Sequence, residues 1–410
     1  LDHLIIAVTL STSPCTSSRG YWRLPRELLT NPVIREAVTA EAEQRLTKMT
    51  SRTSTTPPLN IGAMWHGWLK RIKARLQECH RRYIVDTKAI LHDHLMRLAV
   101  AQRDYQRTGH GAAAVHAAEA ALDTATAELR QCTMDVHFDF HANTNEEGSR
   151  HFFRRPQGSK VSITKANVDG GVATDAPTVQ AVFTAHWQTI MTSPPDLSPP
   201  NRARRRAVLR RPTQRLSDAD REQLVAPLTP LELRSALKTM DPSKSPGPDG
   251  WYAGFFQLAP DVFADIVLLV YQYQLVHRRE LLPHQRRSAV TLLFKAGDRG
   301  DHSNYRPIAL MPVEVKVLPR ALARRLAYVA PKLAHRSQAR FIPDRRLHDH
   351  VVFVQSLQHY CTMEDHDHYA TFLAFSKAYD MVYQGFLIDT LHELNIRPVF
   401  LSWVALLYRA

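Results

Sequence analysis

Thr371-Phe372-Leu373-Ala374-Phe375-Ser376-Lys377-Ala378-Tyr379-Asp380 is the stretch on which the reading of this chain turns. Residues 371–375 form an uncharged, largely apolar run of strand length, and Lys377 to Asp380 then break it, so the pattern predicts a strand running into a turn. Beyond the turn, Phe386, Leu387, Leu391 and Leu394 recur at helical spacing, with Asp380 placed to cap that helix. A further helical stretch runs through Phe400, Trp403 and Leu407. Asp380 lies six residues after Ala374, and a strand rises about 3.3 Å per residue, so it cannot act from the Ala374 position.

Working toward the N-terminus, Ser337-Gln338-Ala339-Arg340-Phe341-Ile342-Pro343-Asp344-Arg345 precedes this stretch. Lys316 to Leu326 reads as a helix disturbed by Pro319, because an interior proline removes a hydrogen bond and costs roughly 3 kcal/mol. Ahead of it, Ala289-Val290-Thr291-Leu292-Leu293-Phe294-Lys295 and Tyr305-Arg306-Pro307-Ile308-Ala309-Leu310 flank a turn containing Gly297, the pattern of a β-hairpin. Ser245-Pro246-Gly247-Pro248-Asp249-Gly250 is a stiff turn, since proline fixes φ and glycine permits positive φ, and its backbone N–H groups are expected to approach a phosphate closely. Thr229, Pro230 and Glu232 spell a capping box that opens a helix through Leu233, Leu237 and Met240. Another helix is expected from about Pro260 to His277.

Taken together, these motifs resemble the reverse transcriptases of non-LTR, LINE-type retrotransposons. The resemblance implies an α+β, right-hand fold made of polymerase fingers (217–410) and an incomplete palm. It places Lys295 and Arg306 against the incoming nucleotide's triphosphate, Phe375 among the nucleotide-binding residues with its backbone carbonyl as the one metal contact left by analogy, and Tyr379 as the aromatic gate beneath the sugar. It assigns Gly247, Asp249, Gln338, Phe341, Pro343 and Arg345 to the template, with Arg340 and Asp344 standing where the family keeps glycine. The family's palm strand carries a metal-binding aspartate where this chain has Ala374, and no aromatic-x-Asp-Asp motif occurs among the 410 residues. Two-metal nucleotidyl transfer needs carboxylates to hold the ions. The expectation is therefore RNA-directed DNA polymerase ancestry with magnesium in the family, no metal bound by this chain, and undetectable polymerisation, since every 1.36 kcal/mol lost is tenfold in rate.

The N-terminal half is read from pattern and resemblance together. Residues 1–15 are similar to the tail of an endonuclease/exonuclease/phosphatase domain, with Asp2-His3 as the remnant of its terminal motif and a buried strand after it. Residues 16–190 form a helical linker region, with helices over about 60–133 broken at Gly109 and Gly111. Arg19 to Leu24, Glu146 to Phe153 and Asp169-Gly170 resemble linker segments of the same elements. Residues 191–216 are rich in Pro and Arg and read as a solvated linker.

The formal charge of +14 points to a polyanionic partner. RNA template and DNA primer or target are those the resemblance implies. Four scattered cysteines give no zinc-finger spacing, and His348, His350, His366 and His368 read as solvated loop histidines. No apolar run reaches the roughly 18 residues of a spanning helix, and no basic stretch precedes Leu4, so a soluble, intracellular protein, nuclear or cytoplasmic, is expected. Two other readings stay open: a non-catalytic RNA or single-stranded DNA-binding module, and a decayed reading frame without stable function.

Overall fold

A computed structural model describes residues 22–51, 60–142, 163–191, 202–210, 215–363, 369–375 and 378–409. Four helices open it: α1 (Arg26–Thr30), α2 (Pro32–Thr50), α3 (Ile61–Thr108) and α4 (Ala112–Ala142). A small hairpin, β1 (Ala166–Val168) and β2 (Gly171–Ala173), leads to α5 (Ala176–Met191) and α6 (Arg202–Leu209). Then come α7 (Asp218–Val225), α8 (Pro230–Lys238), α9 (Ala253–Phe256) and α10 (Pro260–Tyr273). The second hairpin, β3 (Ala289–Phe294) and β4 (Tyr305–Leu310), precedes α11 (Val313–Leu333), α12 (Leu347–Met363), α13 (Gln384–Glu393) and α14 (Pro398–Tyr408).

The helix starts follow local chemistry. Asn31 accepts from the N–H groups of Val33 and Ile34, with Pro32 beginning α2, and Asn60 accepts from Ala63 at 2.9 Å to start α3. The predicted capping box is formed: Thr229 accepts from Glu232 N–H, and the Glu232 carboxylate accepts from Thr229 N–H at 2.9 Å. Gly109, at φ 69°, ends α3 in the left-handed conformation.

One continuous core joins the two halves of the chain. Trp65, Trp68, Leu69, Ile72 and Leu76 of α3 pack with Trp251, Phe255, Phe256 and Phe263, and with residues of α8, α11 and α14. The Trp65 and Trp68 rings stack at 5.3 Å. Leu28, Val38, Ala42 and Met49 lie in the same core. Thus the helices of the expected linker region and the segments of the expected fingers share their buried surface. Past Cys79, α3 leaves the core and pairs with α4 as a helical hairpin. Ile84, Thr87, Leu91, His94, Leu98 and Ala101, at alternating steps of three and four, form its half-buried seam.

Three local expectations are corrected. Residues 371–375 form no regular element and belong to no sheet, and Phe372, Leu373 and Phe375 are 81%, 86% and 88% exposed. A strand exists through ladder partners, and among the described residues none pairs with this one. Pro319 does not break its helix: α11 runs through it because Val315, Val317, Leu318, Ala321 and Leu322 around it are buried and offset the lost hydrogen bond. Asp380 sits in a turn and does not cap α13, whose N-cap is Tyr383. Asp2, His3, the first strand, Glu146 to Phe153, His366 and His368 lie outside the described residues.

Candidate functional site

Three segments singled out by sequence carry the candidate site. The first is the β3–β4 hairpin, antiparallel with Phe294 opposite Tyr305 and Leu293 opposite Arg306. Lys295 N–H donates to Asn304 carbonyl at 2.8 Å and extends the ladder by one step. Opposed residues share a face and faces alternate along a strand, so Leu293, Lys295 and Arg306 lie on one side and Leu292, Phe294 and Tyr305 on the other. The second side is covered: these three pack against Ala166, Val179, Phe183 and Trp187, with Phe183 edge-on to Tyr305 at 5.2 Å. On the opposite side, Lys295 and Arg306 are both exposed.

The second segment is the 245–250 turn, and it meets protein rather than solvent. A Cβ on Gly247 would lie 2.4 Å from Pro312 N, and one on Gly250, at φ 85°, would lie 2.0 Å from the Trp22 carbonyl oxygen. These glycines are therefore required by close packing. Leu24 N–H donates to Gly250 carbonyl at 3.0 Å and Trp22 meets Trp251 edge-on, so the N-terminal segment is stitched to this turn.

Asp249 turns inward. Burial, then the neighbouring charge of Glu314, push its carboxyl up to about 7, and its Oδ2 has no hydrogen-bond partner. Lys73 Nζ donates to the Asp249 carbonyl at 3.0 Å and lies 4.5 Å from the Trp22 ring centroid. Burial lowers the Lys73 ammonium, against the pull of Asp249.

Beside them, Glu314 is buried at the start of α11. It accepts from Trp65 Nε1 and pairs with His284 Nε2 at 2.6 Å, and its backbone carbonyl accepts from Tyr271 Oη. Burial pushes Glu314 up, but His284 and the hydrogen bonds bring it below its ordinary value. His66, stacked on His284 at 4.1 Å, is lowered to about 4 by burial and by the His284 and Lys70 charges.

The third segment joins 337–345 to the palm-like run. Phe341 and Tyr379 meet edge-on at 6.2 Å, and the Arg340 guanidinium lies 5.0 Å from the Phe341 centroid. Phe341 and Tyr379 are both exposed, Gln338 is exposed, and Pro343 is half-buried. Asp344 takes the left-handed backbone, φ 63°, as expected of a residue at a family glycine position. The other positive φ falls on Phe341 (64°), one residue after Arg340. Arg345 is consumed locally: its guanidinium donates to the carbonyls of Pro331, Ala334, His335 and Gln338 and closes the end of α11. Ala374 and Phe375 lie on the exposed 371–375 run.

Sequence reasoning missed several residues. Glu314 and His284 carry no motif and are paired only by the fold. The Arg325 side chain is 9% exposed and forks onto both Glu232 oxygens at 2.5 and 2.7 Å. It also donates to the Ala226 and Pro227 carbonyls. Burial works against the Glu232 charge, yet the Arg325 and Thr229 hydrogen bonds hold its carboxyl below its usual range. Among the described residues no group of three or more His, Cys, Asp or Glu is placed to hold a metal ion, and no helix is long and apolar enough to cross a membrane.

Comparison with known proteins adds two findings. Residues 295–410 match the family model described as reverse transcriptase (RNA-dependent DNA polymerase). A relative described as the transposon TX1 uncharacterized 149 kDa protein, from Xenopus laevis, is 28% identical over 270 residues, 64% of this chain and 20% of the relative. The aligned part thus spans about one fifth of that relative's length.

Proposed function

We propose, for a chain that carries a reverse transcriptase domain segment of the non-LTR retrotransposon type, that its β3–β4 hairpin presents the nucleotide-binding face and that RNA template and DNA primer are its partners. The observation that carries this reading is the placement of Lys295 and Arg306 on one side of a hairpin whose other side is covered. An ammonium and a guanidinium on the same side suit a triphosphate, the first as a compact charge and the second as a fork. Phe341 and Tyr379, exposed aromatics beside Arg340, supply stacking surfaces of the kind that hold single-stranded bases, which supports a template role for Gln338, Phe341 and Pro343. Gly247, Asp249 and Arg345 serve at one remove, by shaping the loops. The net charge of +14 supplies the general attraction to a polyanion.

Reverse transcriptases use divalent metals, and the residues here do not fit them. Ala374 offers a methyl group at the family's aspartate position, and Asp380 lies in a separate turn. This chain is therefore read as a nucleic-acid and nucleotide binder without polymerase activity of its own. The continuous core shared by both halves favours it over a decayed frame with no stable product.

The test is binding and primer extension on the same preparation. RNA should be retained on a filter at low salt and released as salt rises, and Lys295→Ala with Arg306→Ala should weaken binding of a deoxynucleoside triphosphate. No RNA binding at low salt refutes the binding reading. Chelator-sensitive cDNA synthesis by the unaltered chain refutes the inactivity.

A further inference from the structure

The geometry points to residues 163–191 as a brace that fixes the aim of the nucleotide-binding hairpin, with Asp298 as its central positioning residue. This rests on the reading of Lys295 and Arg306 given above. A two-stranded hairpin alone is marginally stable, and β3–β4 has no third strand among the described residues. What steadies it comes from a segment more than a hundred residues earlier.

The attachment has three parts. Ala166, Val179, Phe183 and Trp187 cover Leu292, Phe294 and Tyr305. His186 of α5 stacks on His302 of the β3–β4 connection at 3.9 Å. Asp298, in the turn between the strands, takes Lys165 Nζ at 2.8 Å, Asn167 Nδ2 at 2.8 Å and its own turn's Gly300 N–H at 3.1 Å. Asn167 N–H donates back to the Gly300 carbonyl at 2.8 Å. The two backbones approach so closely that a Cβ on Gly300 would lie 2.4 Å from Asn167 Oδ1.

Asp298 therefore ties the turn both to itself and to the brace. Lys295 precedes it by three residues, and Arg306 leaves the same turn on the returning strand. Freeing the turn would let both cations move relative to each other. A guanidinium fork and an ammonium engage one triphosphate only when their spacing is held.

The experiment uses the full chain. Hydrogen exchange is followed by mass spectrometry in peptides covering 289–310, and binding of a dye-labelled dTTP with magnesium is followed by anisotropy. Asp298→Asn, and independently Gly300→Ala, should speed exchange in those peptides about tenfold while peptides of α10 stay protected. The swap Lys165→Asp with Asp298→Lys rebuilds the ion pair but not the bonds Asp298 accepts from Asn167 and Gly300, so it should restore protection only in part, and dTTP affinity should fall and partly recover in step. Exchange at the wild-type rate in both single variants overturns the brace. Faster exchange with unchanged affinity, in a chain that binds dTTP through Lys295, overturns the positioning role. If the unaltered chain binds no dTTP, the nucleotide reading fails, and the exchange arm still decides the brace.

Discussion

Replacing Asp249 by Asn should make the protein more stable, and more so as the pH rises. The ordinary aspartate value is 3.8, whereas Asp249 in its buried site titrates at about 7. A carboxyl raised in the folded state holds its proton there more tightly than in the unfolded chain, so its contribution is complete below pH 3.8 and is lost as pH rises toward 7. At about 1.36 kcal/mol per pKa unit, ionising the buried group costs about 4 kcal/mol above pH 7. Roughly 2 to 3 kcal/mol of this accrues between pH 5 and pH 8. Asn keeps the shape of the side chain, removes the charge beside Glu314, and adds an N–H at the oxygen that has no partner. The attraction Asp249 exerts on Lys73 is lost, and this trims the gain. Urea unfolding followed by tryptophan fluorescence at pH 5, 6, 7 and 8 measures the difference directly. Parallel pH profiles of variant and wild type would refute the reasoning, since they would mean that Asp249 is solvated or paired.

Further outcomes follow from other contacts. Arg325→Ala should destabilise the fold by about 2 kcal/mol in urea, because it removes the fork onto Glu232 and the bonds to the Ala226 and Pro227 carbonyls, and Arg325→Lys should recover only part since an ammonium cannot fork. Gly250→Ala should cost about 2 to 4 kcal/mol, combining a disfavoured φ with a clash against the Trp22 carbonyl, and thermal melting reads it. Phe341→Gly should relieve about 1 kcal/mol of left-handed backbone strain while lowering affinity for single-stranded RNA, a separation visible by comparing melts with filter binding. Ala374→Asp alone should restore no primer extension, because one carboxylate does not make a two-ion site.

Much of the fold was legible because its signals are local. The capping box at Thr229, the helices either side of Gly109 and the 289–310 hairpin depend on near neighbours in sequence, and each is formed. The misreadings share a cause. Pro319 carries a local penalty, but the burial of Val315, Leu318 and Leu322 is a property of the whole core. Residues 371–375 have the composition of a strand, but strand formation is decided by distant partners. In the candidate site, the cations were found by their place in motifs. Glu314, His284 and the Lys165–Asp298–Asn167 cluster were not, since nothing along the chain marks residues brought together only by packing. Asp249 was noticed for its motif, but its burial was not legible, because whether a turn faces water or Trp22 is a tertiary fact.

The long α3 helix has a mechanical meaning. It is one uninterrupted helix whose root carries Trp65, His66 and Lys73, partners or neighbours of Glu314 and Asp249, and whose far end, paired with α4, lies roughly 50 to 65 Å away. A lever without a hinge passes torque rather than absorbing it. A substitution that re-registers the distal hairpin should therefore be felt, through one continuous backbone ladder, where Trp65 meets Glu314 and Lys73 meets Asp249.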